Sequence, residues 1–264
     1  MFVRMSSPSE TEALKQFIVE MAQASAHFIM PYFASPDLVV ENKGDMTPVT
    51  AADKGAELLL RDMIMKRFPE HGILGEEYGQ YQPEASHRWI LDPVDGTKSF
   101  TANNAQFGTL ICLLRDEVPI LGAINLPATS QLLIGDGETS TLNGRLIRAK
   151  EPGPLSKAIV VTTDYDDSAT RHGVEGWAAL KKAVRKIYTW GDCYGYYLAA
   201  SGGVQVACDP AMNAWDLLPL IPVMRGAGLT ISDWQGRAPE KGDSCVVAHP
   251  SLHQEVIALL NGRA

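Results

Sequence analysis

The sequence predicts an α+β first half joined to an α/β second half. Three observations carry this: two apolar patterns of helical period before residue 70, strand-like segments separated by turn residues up to about 150, and alternating strand and helix signals thereafter. Over residues 10–33, Leu14, Phe17, Ile18, Met21 and Phe28 recur at helical spacing, ended by Pro31 and Pro36. Residues 43–53 read as a loop, a short extended piece and a helix start, with Asp53 as the N-cap. A second helix over 54–68 carries Leu58, Leu59, Ile64 and Met65 and stops before Pro69. Residues 71–75 form a short strand that runs into Glu76 and Glu77. Strands are expected at 106–115, 118–125 and 131–135, and Asn143-Gly144 carries the signature of a type I′ hairpin. This half reads as helices over an antiparallel meander.

Glu151-Pro152-Gly153-Pro154 is the one stretch with the composition of a linker. Beyond it, strands at 158–162, 186–189, 204–208, 229–232 and 245–248 alternate with helices at 170–183, 194–200, 214–227 and from 251 onward. The chain thus divides at about residue 150 into two subdomains, expected to work as one catalytic unit. At 264 residues and 45% hydrophobic content there is ample material for a core without covalent staples.

The net charge is −8, with no run of Lys or Arg, which argues against a nucleic-acid partner. An anionic substrate would need bound cations to offset that field. Cys112, Cys193, Cys208 and Cys245 stand singly, without C-x-x-C or a His/Cys cluster, and are expected to be buried thiols. The first ten residues lack a basic lead-in and an apolar core, and no later segment approaches about 18 uninterrupted apolar residues. A cytoplasmic setting without a membrane partner is expected.

The chemistry centres on Trp89-Ile90-Leu91-Asp92-Pro93-Val94-Asp95-Gly96-Thr97. Apolar residues run into two aspartates three apart, as though a buried strand ends in a tight turn that brings Asp92 and Asp95 within about 7 Å. Two such carboxylates repel, and a hard dication removes the repulsion by taking oxygen from both. Gly96 lets backbone N–H groups approach an anion, and Thr97 adds a hydroxyl. Asp-Pro and Asp-Gly are also ordinary turn formers, so partners elsewhere decide the matter. Of the adjacent Glu76 and Glu77 only one reaches such a site, and Glu76 is chosen; a solvated loop is the alternative. Asp216 opens an apolar helix and suits either a capping role or metal ligation. Asp192, in Gly191-Asp192-Cys193, suits either a cap or a substrate-reading group, and Asp209 ends a strand before Pro210.

Asp45 with Thr47-Pro48-Val49-Thr50-Ala51-Ala52-Asp53, Gly75-Glu76-Glu77, Asp92 to Thr97, and Trp215-Asp216 followed by Arg225-Gly226-Ala227-Gly228 together resemble the inositol monophosphatase-like family. The resemblance spans nearly the whole chain. Lys98-Ser99-Phe100, Phe107-Gly108-Thr109-Leu110, Thr141 to Arg145 and Trp190 to Gly195 look most like its histidinol-phosphatase branch. It implies a layered αβαβα sandwich of the inositol monophosphatase and fructose-1,6-bisphosphatase type, a homodimer, and phosphomonoester hydrolysis with two or three Mg²⁺ per subunit. By motif, Glu76, Asp92, the Val94 carbonyl, Asp95 and Asp216 are the implied metal ligands, and Asp95, Gly96 and Thr97 contact phosphate.

Thr47 stands where the inositol-phosphatase motif has an acid, so the role passes to Asp45, which pairs with Thr97 to orient the attacking water. Ala227-Gly228-Leu229 departs from a Gly-Gly in many relatives and touches little of the chemistry. Asp192 and Asp209 are the candidates for reading the leaving group. The best substrate reading is L-histidinol phosphate, with inositol 1-phosphate and a 3′(2′),5′-bisphosphate nucleotide as alternatives. A non-enzymatic alternative is a protein-binding role in transcription antitermination.

Overall fold

A computed structural model describes residues 8–42, 44 and 48–263. Helix α1 (Pro8–Ile29) buries Leu14, Phe17, Ile18 and Met21, the residues whose spacing predicts it, and turns replace the helix after Ile29. A short antiparallel pair, β1 (Val40–Asn42) and β2 (Pro48–Thr50), leads into α2 (Ala51–Arg67). The N-cap of α2 is Thr50, not Asp53. Ala52 N donates to Thr50 Oγ1 at 3.1 Å, while Thr50 N donates back to Asp53 at 2.8 Å, which makes Asp53 the third helical residue of a capping box.

The first sheet has eight strands: β3 (Gly72–Gly75), β4 (Gly79–Tyr81), β5 (His87–Asp95), β6 (Gly108–Arg115), β7 (Val118–Leu126), β8 (Gln131–Gly135), β9 (Ser140–Leu142) and β10 (Arg145–Ile147), with α3 (Thr97–Thr101) between β5 and β6. Their order is β10-β9-β8-β7-β6-β5-β3-β4. From β5 to β10 the sheet is the expected meander, but β3 pairs parallel with β5, which the meander reading missed. The β9–β10 hairpin is as the sequence predicts: Asn143 and Gly144 have φ of 49° and 76°, the left-handed pair that a two-residue type I′ turn requires.

The second sheet is built from β11 (Ile159–Val161), β12 (Lys186–Tyr188), β13 (Val206–Asp209), β14 (Thr230–Ser232) and β15 (Cys245–Ala248), in the order β12-β11-β13-β15-β14. Its helices are α4 (Tyr165–Thr170), α5 (Val174–Ala183), α6 (Asp192–Ala200), α7 (Ala214–Leu217), α8 (Leu220–Gly226) and α9 (Pro250–Leu260). The helix expected at 170–183 starts only at Val174, behind the separate short α4, and the one expected at 214–227 is split in two. Gly173, at φ 109°, separates α4 from α5. Pro219, which has no N–H to continue the ladder, lies between α7 and α8.

The period-2 alternation of β6 explains the layering. Ile111 and Leu113 pack with Leu14, Phe17, Leu60 and Ile64 of α1 and α2, while Leu110, on the other face, packs with Tyr196, Leu217 and Ile221 of α6 to α8. Those helices also cover Val161, Ala207 and Val247 of the second sheet, whose far face (Val160, Val206, Val246) packs on Trp177, Leu180 and Val256 of α5 and α9. The result is the αβαβα sandwich. All four cysteines are buried and free, as expected. No helix among the described residues is long and apolar enough to cross a membrane.

One edge of this core carries a pH-sensitive stack. His71 lies parallel to Phe68 (centroids 4.7 Å apart) and to His87 (4.9 Å), and the buried Trp89 donates its indole N–H to His71 Nδ1 at 3.1 Å. Burial, then the neighbouring His87, pushes His71 down to about 4. A histidine that titrates lower folded than unfolded contributes stability that is full above about pH 6.5 and is lost as the pH falls toward 4. The urea midpoint should therefore drop between pH 7 and pH 5, and drop less in His71→Gln, which keeps an acceptor for Trp89. Parallel pH profiles for the two proteins would remove His71 from the account.

Candidate active site

The central acids owe their convergence to an irregularity in β5. Across β5 and β6, Asp92 pairs with Leu110 and Asp95 with Gly108, so three steps on one strand match two on the other. In a regular strand, residues three apart point to opposite faces; one extra residue in a bulge returns them to the same face. Pro93, which cannot donate to the ladder, sits inside the bulge. The strand therefore runs through Asp95, and the tight turn expected between the two aspartates is this bulge. The reversal comes at Gly96, in the left-handed region at φ 82°, with α3 beginning at Thr97.

Asp92, Asp95 and Asp216 each bring one carboxylate oxygen to within 4.8 Å of the others. They lie in a cavity of about 650 Å³ that Glu76, Val94, Gly96, Thr97 and Asp192 also line. Asp92 is buried and accepts Val94 N at 3.0 Å; Asp95 accepts Cys193 N from α6 at 2.5 Å. Asp216 caps its helix and also stands where a metal ligand would. Its Oδ2 accepts Asn213 N at 2.9 Å as part of a capping box, and the residue still reaches the cluster.

Burial, and then the charges of Glu76, Asp95 and Asp216, hold Asp92 well above the usual carboxylate range. Burial followed by Asp192 and Asp216 does the same to Asp95. A pocket of carboxylate oxygens that repel one another is the chemistry a hard divalent ion relieves, and these residues fit one.

Asp45, expected to pair with Thr97, lies outside the described residues. Among the described residues, the carboxylate that Thr97 meets is Asp53: Thr97 Oγ1 is 3.2 Å from Asp53 Oδ1 and 3.0 Å from the Val94 carbonyl. Asp53 is 1% exposed, and burial raises its pKa against the lowering effect of the Thr50 bonds. The signal was present in the sequence, since an acid three residues after Thr50 is the capping-box pattern and its second oxygen remains available.

The two candidates for reading a leaving group differ in depth. Asp192 lines the cavity at φ 49°, a left-handed conformation that a non-glycine residue adopts at a cost, and no donor among the described residues reaches its carboxylate. Burial and the charges of Asp209 and Asp216, partly offset by Lys98, raise it to about 7. Lys98 is the one cationic side chain among the described residues lining the cavity.

Asp209 lies behind Asp192 and lines a smaller cavity with Asp95, Asp192 and Asp216. It is 5% exposed, and its oxygens accept Thr163 N at 2.7 Å, Thr162 Oγ1 at 3.2 Å and the Tyr196 hydroxyl at 2.8 Å. Thr163 links Asp209 to Asp192, since its Oγ1 accepts Asp192 N at 2.8 Å.

Layered sheets with an acidic, glycine-turned site at the strand ends fit a phosphomonoesterase, and the relatives place the chain in that class. The chain belongs to the inositol monophosphatase family, whose pattern it matches over residues 10–263. It is 34% identical to a histidinol-phosphatase of Chlorobaculum parvum over 93% of this chain and 95% of that one. A histidinol-phosphatase of Mycobacterium tuberculosis is 33% identical over 87% and 90%. Among solved structures, an inositol monophosphatase from Zymomonas mobilis superposes with a TM-score of 0.84 at 30% identity, covering 97% of this chain and 99% of the other.

Proposed function

We propose that this phosphatase hydrolyses L-histidinol phosphate to L-histidinol and phosphate with Mg²⁺ held by Glu76, Asp92, the Val94 carbonyl, Asp95 and Asp216. The observation that carries the reading is the Asp192 carboxylate, which faces the cavity beside three converging acids and accepts no hydrogen bond from the described residues. A cationic amino alcohol would find its counter-charge there. When bound, Mg²⁺ supplies positive charge against the phosphate and lowers the pKa of a water molecule. The chain's own residues do the rest. The Thr97 hydroxyl, with Asp45 of the motif and with Asp53, orients that water, Gly96 leaves room for phosphate oxygens to approach the backbone, and Asp192 fixes the leaving group. The 1–150 and 151–264 halves then act as one catalytic unit, tied by the Cys193 N–H bond to Asp95. Two relatives that carry the name histidinol-phosphatase support the substrate.

Inositol 1-phosphate is the second reading, favoured by the likeness to the Zymomonas enzyme. Phosphate release on histidinol phosphate, inositol 1-phosphate, adenosine 3′,5′-bisphosphate and fructose 1,6-bisphosphate separates the readings. Asp192→Asn should raise KM for histidinol phosphate about 10- to 100-fold, the worth of one hydrogen bond to a charged group, with a much smaller change for inositol 1-phosphate. Equal changes on both would remove Asp192 from the specificity argument. Inactivity on all four would turn attention to a protein-binding role.

A further inference from the structure

Glu57 lies one helical turn after Asp53 on α2 and is ionisable yet 0% exposed. Its Oε2 accepts Glu77 N at 2.7 Å, and its Oε1 accepts Tyr78 N at 3.2 Å and Arg61 Nε at 2.8 Å. Arg61, 8% exposed, also donates to the Gly79 carbonyl. The pair therefore grips residues 77 to 79, the turn that follows Glu76. The Glu77 amide belongs to the peptide bond that Glu76 forms with its successor, so Glu57 fixes one side of Glu76. The other side is fixed by Glu76 N, which donates to Leu91 O at 3.2 Å, next to Asp92 in sequence. Gly75 makes the approach possible, because a Cβ there would stand 2.0 Å from Glu57 Oε1.

A buried ion pair is poor evidence of stability by itself, since well-packed apolar residues of the same volume often do as well or better. What an apolar pair could not do is accept two N–H groups from the turn. We propose that Glu57, neutralised by Arg61, is a positioning residue for divalent cation: it holds the Glu76 carboxylate in register with Asp92, Asp95 and Asp216 and thereby sets cation affinity without touching substrate. This rests on the metal reading above.

The test is Glu57→Gln. The amide keeps the volume but offers only one acceptor oxygen, and its NH₂ group faces donors. Calorimetric titration with Mn²⁺, without substrate, should show Kd raised about 10- to 100-fold, the usual cost of losing a support behind a metal ligand. The Mg²⁺ concentration for half-maximal activity should rise by the same factor, while kcat at saturating Mg²⁺ stays within about threefold. An unchanged Kd overturns the proposal, and so does a fall in kcat at an unchanged Mg²⁺ requirement. Should the single variant fail to fold because Arg61 is left buried and unpaired, Glu57→Gln/Arg61→Met, which removes both charges, is measured and read the same way. Failure of the unmodified protein to bind Mn²⁺ is a different result and defeats the metal reading itself.

Discussion

Asp95→Asn is expected to lower kcat/KM on every phosphomonoester by at least about 10³-fold, the upper end of what one preorganised electrostatic contact supplies in enzymes. Two facts about Asp95 make the effect large and the variant interpretable. Its carboxylate is one of three that converge to within 4.8 Å, so losing its charge removes a third of the close anionic set. It also accepts Cys193 N at 2.5 Å, a bond that an asparagine carbonyl can keep, so the tie between β5 and α6 survives. Without cation, the substitution relieves repulsion among Asp92, Asp95, Asp192 and Asp216. The metal-free Tm should therefore hold or rise while activity is lost, the reverse of what a damaged fold would give. Phosphate release and thermal melts on the same preparations measure both. A variant that keeps its rate to within about tenfold with Mg²⁺ would sink the cation-cluster mechanism.

The parts of this protein that were legible in the sequence are those where local chemistry and tertiary structure agree. α1 follows from the spacing of Leu14, Ile18 and Met21, and the β9–β10 hairpin from Asn143-Gly144, because each pattern admits one local conformation. The site was legible as a set of acids at element ends, since Asp92, Asp95 and Asp216 meet in one cavity. The means by which they meet was not. Spacing alone makes Asp92 and Asp95 a turn or opposite faces of a strand, and only the pairing with Leu110 and Gly108 reveals the bulge.

The parallel β3–β5 pair was hidden for a related reason, as strand direction depends on a partner that a single segment does not name. Asp53 was misplaced because an acid near a helix start suits the N-cap and the third helical position alike. The burial of Asp209 was hidden because nothing in the sequence counts the donors from Thr162, Thr163 and Tyr196 that reach it.

The second large effect is expected at the pair formed by Asp53 and Thr97. The Thr97 hydroxyl has one proton and two acceptors in reach, Asp53 Oδ1 at 3.2 Å and Val94 O at 3.0 Å. If the Val94 carbonyl serves as a cation ligand, the proton goes to Asp53, which leaves the hydroxyl's lone pairs toward the cavity to accept from a water. Asp53→Asn alters this with little else. Its side-chain oxygen can still accept Thr50 N and Thr50 Oγ1, which lie 2.8 and 2.6 Å from Asp53 Oδ2, so the cap of α2 persists. Its amide then faces Thr97 as a donor, and the hydroxyl must turn its proton elsewhere.

Asp53→Asn and Thr97→Val should each lower kcat by about 10²- to 10⁴-fold, the range for a positioned group that manages a proton. KM and the Mg²⁺ requirement should move little, and Thr97→Ser should restore most of the rate. Because the two side chains act through one hydrogen bond, the double variant should be no worse than the worse single one. Steady-state kinetics on all four proteins decide it. Losses that multiply in the double variant would mean that Asp53 and Thr97 act separately, and Asp53 would then be only the third residue of a well-capped helix.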